Sequence, residues 1–476
     1  MRTAGSVILG ATFVLTSCVS VNPTAGFLEV SKLADERTGL RVRWDQGAAE
    51  DEAAKKAVRQ LLARELGPAD AMQVALLNNR RLQALYESLG VAQADLVQAG
   101  LLRNPVLDAQ FRFHDSGLGA EAEVVQDFMS VFFIPLRKRI AAAAFEATKL
   151  EVTGQILDLA AEVRSAYYDF QAAEQLVEMR TSVLAATGAS SDLARRLYEA
   201  GNIVDIERDN ERALYEQAKI DLAAAEAQGL AARERLNGLM GLWGKDTAWA
   251  IPARLPALPA SEPSLERVES RAVEASLDLA AEKARLDSLA GLLGLARPFA
   301  LFPEANLGGS GEKDSESGWG FGPALGFPLP FFDQGQAAVA AARAELHRGH
   351  DRLAALAVEL RAEARAARNA VLATRNQVEH YADVLLPLRH RIVGETQKQY
   401  NAMLVGTFQL LLAKQQEIEA ASRSITALRD YWLARTALDQ LLGGRMPRRG
   451  RPPDERAAAE GGREGDGRRS NNRGGR

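Results

Sequence analysis

Arg196-Leu197-Tyr198-Glu199-Ala200-Gly201 opens a stretch that runs to Gly241, and Lys398-Gln399-Tyr400-Asn401-Ala402-Met403 opens one that runs to Gly443, at a constant offset of 202 positions. On that register Tyr198 meets Tyr400, Arg233 meets Arg435, and Leu236, Leu239 and Gly241 meet Leu438, Leu441 and Gly443. Earlier segments match at a slightly smaller offset: Ala75 and Leu82 fall on Ala272 and Leu279, and Ile134-Pro135-Leu136 falls on Leu329-Pro330-Phe331. The chain therefore reads as one plan written twice, with small insertions between elements.

Each half has the same order of elements. A helical segment (Asp70 to Leu101; Ser264 to Leu295) comes first, and Arg103-Asn104-Pro105 or Arg297-Pro298 is expected to stop it. Two short β-like runs follow, separated by a polar or Gly-rich turn. A second proline (Pro135; Pro328 and Pro330) is expected to end the strands and open a very long helix, Leu136 to Ala200 and Gln336 to Asn401. A turn then leads to a return helix, Ile206 to Met240 and Thr407 to Leu442. At about 1.5 Å per residue the long helices span roughly 97 Å, the combined length of the first and return helices. Those two shorter helices are therefore expected to stack end to end beside the long one. A helix of that length builds a coiled wall or a tube, not a compact globule.

The strands point to a membrane. In Pro105 to His114, Leu107, Ala109, Phe111 and Phe113 alternate with Asp108, Gln110, Arg112 and His114. In Gly318 to Leu329, Trp319, Phe321, Leu325, Phe327 and Leu329 alternate with Gly and Ala. Apolar residues on one side and polar or small ones on the other is the pattern of a membrane barrel. The other two runs, about 124–134 with Asp127 awkward on either face and about 298–308 with Pro303, are less regular. Two hairpins supply four strands, and a single-chain barrel starts at about eight. A sheet edge facing lipid is forbidden, so several chains must share one barrel, in a number this pattern leaves open.

The composition of the 476-residue chain is that of long helices: 47% hydrophobic residues carried by Ala and Leu, 25% charged and only 6% aromatic. A net charge of −4 argues against nucleic-acid binding. No stretch reaches about 18 uninterrupted apolar residues, which excludes a spanning helix. The N-terminus reads as an address. Met1 and Arg2 precede the apolar run Val7 to Leu15, and Leu15-Thr16-Ser17-Cys18 looks like a lipobox, with the only cysteine where diacylglycerol would be attached. Val19, in place of the Asp that retains lipoproteins at the inner membrane, points to the outer membrane. The lipid on Cys18 is the one covalent group expected, and no other cofactor is. His347 and His350 stand three apart on a predicted helix without a third ligand, and no metal site is assigned. Nor is there a nucleophile constellation or nucleotide loop, so no enzyme is expected and energy must come from a partner.

Over nearly its whole mature length the sequence resembles the TolC family of outer-membrane efflux proteins. The resemblance is carried by Ala75-Leu76-Leu77-Asn78-Asn79-Arg80-Arg81-Leu82, by Gln98-Ala99-Gly100-Leu101-Leu102-Arg103-Asn104-Pro105, and by Gly322 to Gly335, which looks like the last strand and its exit into a long helix. Tyr198-Glu199-Ala200-Gly201 and Tyr400-Asn401-Ala402-Met403 resemble the helix-hairpin tips. It implies a mainly α fold with a small membrane β part. A homotrimer would share a twelve-stranded barrel, an α-helical periplasmic tube and a mixed belt around its middle. On this plan residues 1–17 are a lipoprotein signal peptide, 18–66 a lipidated arm, 67–241 and 264–443 the two repeats, 242–263 a linker in the belt, and 444–476 a disordered Arg- and Gly-rich tail.

The same resemblance implies the function: a passive exit duct of a tripartite efflux system. It would be coupled through a periplasmic adaptor to an inner-membrane transporter such as an RND-type pump. It places a periplasmic gate just after the tips, at Asp205, Glu207 and Asp209 in the first half and Gln409 in the second, with Glu207 aligning best to the family's acidic position. Acids gathered at a symmetry axis repel one another and respond to cations. Acids also favour helix N-termini, and Arg208 and Arg212 stand close enough to neutralise them. The second tip departs from the pattern, with Gln409 and Leu412 at positions often acidic and Met403 opposite Gly201. Gly201, Asn202, Met403, Leu404, Val405 and Gly406 are the candidates for docking the adaptor. The rival reading is a lipid-anchored periplasmic coiled-coil scaffold or adaptor without a pore.

Overall fold

A computed structural model describes residues 20–447 except 48, 115–116, 263, 302–304, 314–317, 328 and 330. The signal peptide expected over 1–17, Cys18 and the expected tail from 448 onward lie outside the described residues.

Two helices form the arm and belt entry, α1 (Phe27–Thr38) and α2 (Ala49–Leu62). The first repeat then contains α3 (Pro68–Asn78), α4 (Arg80–Gly100), β1 (Val106–His114), β2 (Gly117–Asp127), α5 (Met129–Glu199) and α6 (Asp205–Met240). The second contains α7 (Val268–Ala275), α8 (Leu277–Leu301), β3 (Asn306–Lys313), β4 (Trp319–Gly326), α9 (Gln336–His380), α10 (Leu386–Asn401) and α11 (Thr407–Leu442). A π-helical turn, Tyr381–Leu385, joins α9 to α10, so helical geometry is continuous from 336 to 401.

The first helix of each half is broken at one matching residue. Asn79 and Ser276 are both extended, and each caps the helix that follows. The Asn79 carboxamide oxygen accepts from the Arg81 and Leu82 N–H groups at 2.8 and 3.2 Å, and the Ser276 hydroxyl oxygen accepts from Leu279 N–H at 3.1 Å. The same two breaks receive the return helices end on. The Asn78 and Asn79 amides donate to the carbonyls of Leu239, Met240 and Gly241, and Leu277 N–H donates to the Gly444 carbonyl at 2.8 Å. Gly241 and Gly444 sit left-handed against the carbonyls of Asn78 and Ala275, where a Cβ would lie 2.9 and 2.3 Å from those oxygens. The short helices thus stack end to end along α5 and along the α9–α10 rod, as their lengths predict.

Several predicted boundaries move. The second strand is Gly117–Asp127, not about 124–134, and the third is Asn306–Lys313, not about 298–308. Asp127, awkward within a strand, closes β2 and caps α5 by accepting from Ser130 N–H at 3.2 Å. Pro135 does not open the long helix; it lies inside α5. Its missing N–H disturbs only the first two turns, where the Arg137 guanidinium donates to the Ser130 carbonyl at 3.0 Å. Likewise α8 runs through Arg297 and Pro298 to Leu301, because a proline in a last turn frees little.

The described strands form one antiparallel sheet in the order β1-β2-β3-β4, joining the two repeats through β2 and β3. Direct pairing sorts its faces. Leu107, Ala109 and Phe111 stand opposite Val124, Ala122 and Ala120; Val124 and Ala122 stand opposite Gly309 and Gly311, which face Pro323 and Phe321. That face is apolar apart from Gln126 and Lys313 at its two ends. The other carries Asp108, Gln110, Glu121, Glu123, Ser310 and Glu312, with Gly320 and Gly322 beside them.

Most of the buried core lies around Tyr167, Phe170, Leu236 and Met240 in the first half and Val371, Tyr431 and Leu438 in the second. The arm docks on the outside of the first half, where Phe27 meets the Trp44 and Tyr86 rings edge-on at 5.6 and 5.0 Å. The ordered chain also extends past the end predicted for repeat 2. Arg445, placed by sequence in a disordered tail, is buried, and its guanidinium is paired with Asp158 at 2.8–3.1 Å and with Asp278. Gly154 leaves the space it fills.

Candidate functional site

The two helix hairpins end in the same turn. Gly201 N–H donates to the Tyr198 carbonyl at 2.9 Å and Asn202 N–H to Leu197 at 2.8 Å. Met403 N–H donates to Tyr400 and Leu404 N–H to Gln399, both at 2.9 Å. This bond pair closes a helix C-terminus through one left-handed residue. Gly201 adopts it with φ 74° at no steric cost, whereas Met403 adopts it with φ 61° despite its Cβ. The second tip exposes its apolar residues: Met403 is 94% exposed, and Leu404 and Phe408 are exposed beside it. Val405 is half-buried, and Asn202, Gly406 and Gln409 are exposed.

The acidic residues of the first tip divide into two roles. Arg208 lies between Asp205 and Asp209, 3.0 and 2.9 Å from their carboxylates, with its guanidinium 4.2 Å from the Tyr198 ring centroid. Glu207 turns the other way. One of its oxygens accepts from Val204 N–H at 3.3 Å, capping α6, and the other accepts from the Thr407 hydroxyl at 3.0 Å. Glu207 is therefore a tie between the two tips, and Thr407, which capping rules alone did not single out, is its partner. Asp205 and Asp209 form a compact cluster with one cation within it, while Gln409 stands on the neighbouring α11 without bringing a charge. Among the described residues no cluster of His, Cys, Asp or Glu has the makings of a metal centre.

Above the tips, the belt clamps the linker from both halves. Arg233 donates to the carbonyls of Thr247 and Trp249 at 3.0 and 2.8 Å. Its counterpart Arg435 donates to the Glu262 carboxylate at 2.6 Å, which also accepts from Arg375 at 2.8 Å and the Tyr431 hydroxyl at 2.6 Å. Burial pushes the Glu262 carboxyl up, but the hydrogen bonds from Tyr431 and Arg375 and the two guanidinium charges outweigh it and hold the group below the usual carboxylate range.

At the opposite end, the outer edges of β1 and β4 have no strand partner among the described residues. Phe111, Phe113, Phe321 and Leu325 are exposed on the sheet; Phe128 and Phe132 meet edge-on at 5.4 Å where β2 enters α5, and Phe331 and Phe332 are exposed between β4 and α9. Among the described residues no helix is long and apolar enough to cross a membrane.

The sequence pattern of the outer membrane efflux protein family matches residues 268–444. The cobalt-zinc-cadmium resistance protein CzcC of Cupriavidus metallidurans is 24% identical over 379 residues, which cover 78% of this chain and 89% of that protein. The fold is shared with the CmeC outer membrane channel of Campylobacter jejuni (TM-score 0.69, 14% identity, 90% of this chain and 94% of that one). It is shared also with the open-state MtrE outer membrane channel of Neisseria gonorrhoeae (TM-score 0.62, 18% identity, 80% and 90%). The duplicated helical plan, the amphipathic sheet and these likenesses agree: residues 268–444 carry the pattern of the outer membrane efflux protein family, and the chain as a whole shares the fold of these outer-membrane channels.

Proposed function

We propose that the protein is the exit duct of a tripartite pump. Three copies close their four-stranded sheets into one twelve-stranded barrel, and the helices continue it as a periplasmic tube. The observation that carries this reading is the sheet itself: an apolar face, a polar face, and two open edges, β1 and β4. An open edge is untenable in lipid, and pairing β4 of one copy with β1 of the next removes every edge at once. The lipid on Cys18 anchors the arm to the same membrane. The chain supplies no energy; an inner-membrane transporter does, reached through a periplasmic adaptor that docks at Gly201, Asn202 and Met403 to Gly406.

The polar face becomes the lumen. It gathers Asp108, Glu121, Glu123 and Glu312 against Arg112, so the duct favours cations. The tips supply the gate: Asp205 and Asp209 present acid toward the axis, and Glu207 with Thr407 keeps the hairpins together. A cargo of divalent transition-metal ions fits both the acidic lumen and the relative named for cobalt, zinc and cadmium resistance.

The test is the purified protein in a planar lipid bilayer. We expect heat-sensitive trimers in detergent and cation-selective conductance that rises when Thr407→Val and Glu207→Ala release the tie. A water-soluble monomer after replacement of Cys18, with no conductance, overturns the duct reading in favour of a periplasmic scaffold.

A further inference from the structure

Between the two hairpins, well above the tips, a cleft of about 750 Å³ opens among α5, α6, α10 and α11. That volume lies within the range of sites for small organic ligands, roughly 300–1,000 Å³. Val183, Leu214, Leu411 and Ile418 make its walls largely apolar. The charged groups around it are mostly neutralised by neighbours. Arg180 pairs with Asp221 at 3.1 Å, Glu417 with His390 at 3.0 Å, and Arg423 with Glu419 at 2.5 Å.

Glu211 is the exception. It lines the cleft, is only 8% exposed, and has no hydrogen bond or ion pair among the described residues. Its carboxylate keeps a narrow contact with solvent at the cleft and meets no cation of this chain among the described residues, so it is the one acid of the cleft left open to a positive ligand. Lys414 lines the same cleft but is half-buried and carried on a long stem that reaches the surface. What the cleft lacks is a compact body with apolar flanks and one positive charge.

We infer that this cleft binds an amphipathic organic cation, with the apolar part against Val183, Leu214, Leu411 and Ile418 and the charge at Glu211. The site lies inside one chain, so it stands whether or not three copies form the duct. Bound there, the ligand touches both hairpins and braces one against the other.

Tetraphenylphosphonium is the probe, and tetraphenylborate, the same shape with the opposite charge, is its control. Equilibrium dialysis against the purified full chain in detergent, corrected with protein-free micelles, should show saturable binding of the phosphonium at one site per chain. Glu211→Gln should weaken that binding about tenfold or more, as expected for loss of a charge-assisted contact, and Lys414→Met should tighten it. The borate should neither saturate nor displace the phosphonium. Equal binding of the two ions, no saturable phosphonium binding, or unchanged affinity in Glu211→Gln overturns the inference. The comparison of the two ions needs only the native chain, so a variant that fails to fold leaves the test intact.

Discussion

The first half of the chain closes on neutral amides and the second on buried ions. At the end of α6, Asn78 and Asn79 satisfy the last carbonyls of the return helix through side-chain N–H groups. At the end of α11 the equivalent junction is sealed by Arg445, which reaches across to Asp158 on α5 and Asp278 on α8. Gln440 and the Met446 N–H also donate to those two carboxylates, at 2.9 Å to Asp158 and 3.0 Å to Asp278. Duplication conserved the geometry of the junction but not the chemistry that holds it. Ions are the more fragile solution: removing one partner strands the other in a dry place, whereas a lost amide costs little more than a hydrogen bond.

The sharpest way to break the comparison is therefore unequal damage. Arg445→Ala takes the guanidinium away from the buried Asp158 and the half-buried Asp278 and should cost about 3–5 kcal/mol. Asn78→Ala, at the matching place in the first half, should cost about 1–2 kcal/mol. Denaturant midpoints of the two variants, followed by circular dichroism at neutral pH, decide the matter. Equal shifts would mean the two junctions are energetically equivalent despite their different chemistry.

The linker extends the contrast into pH. Arg233 holds carbonyls, which do not titrate, while Arg435 holds Glu262, whose folded-state pKa is depressed. A depressed carboxyl contributes stability that is fully present above its unfolded pKa of about 4.3 and is lost as pH falls through the lower folded value. The second half's clamp should thus fail in acid while the first half's holds. Limited proteolysis of the linker as pH is lowered from 7 to about 3 should show cleavage near Glu262 before cleavage near Trp249. In Glu262→Gln that acid dependence should vanish, with the linker looser at every pH.

Much of this architecture was legible in the sequence, for reasons of length. The return helices and the α9–α10 rod run through many turns, and a long helical period leaves little ambiguity; Thr407 to Leu442 and Gln336 to Asn401 are found where the pattern puts them. The strands are short, and β3, whose residues begin Asn306-Leu307-Gly308-Gly309-Ser310-Gly311, has hardly any side-chain alternation to read, so the sequence pattern put it at about 298–308. Its partners on β2 and β4 set its place instead. Pro135 and Pro298 misled because a proline near a helix end does little to the ladder. Glu207 was legible as an acid at the tip, but its bond to Thr407 joins residues 200 positions apart and exists only in three dimensions. Arg445 was hidden by its company, since composition after Gly443 describes a tail and says nothing of the one arginine that turns back.

The smallest and cleanest contrast is at the tips, where the same turn is made by Gly201 and by Met403. The two residues share a left-handed conformation and the same two backbone bonds, so a side chain is the only difference at that position. Exchanging them reverses the strain. Met403→Gly removes a Cβ from a conformation that costs an L-residue about 1–2 kcal/mol, and Gly201→Ala imposes that cost on the first tip. Against the gain at Met403 stands the greater freedom of glycine in the unfolded chain, worth roughly 0.5–1 kcal/mol, so the net stabilisation should be about 1 kcal/mol or less. Gly201→Ala should lose about 1 kcal/mol, and amide hydrogen exchange at Asn202 and Leu404 reports each tip separately. Met403 is almost wholly exposed and makes no core, so its retention at a strained position is unexplained by stability alone. If Met403→Gly slows exchange at Leu404 yet weakens adaptor binding, the thioether is there for the partner. If adaptor binding is unaffected, the docking role of Met403 is refuted, and Leu404 and Phe408 are the apolar contacts of that tip.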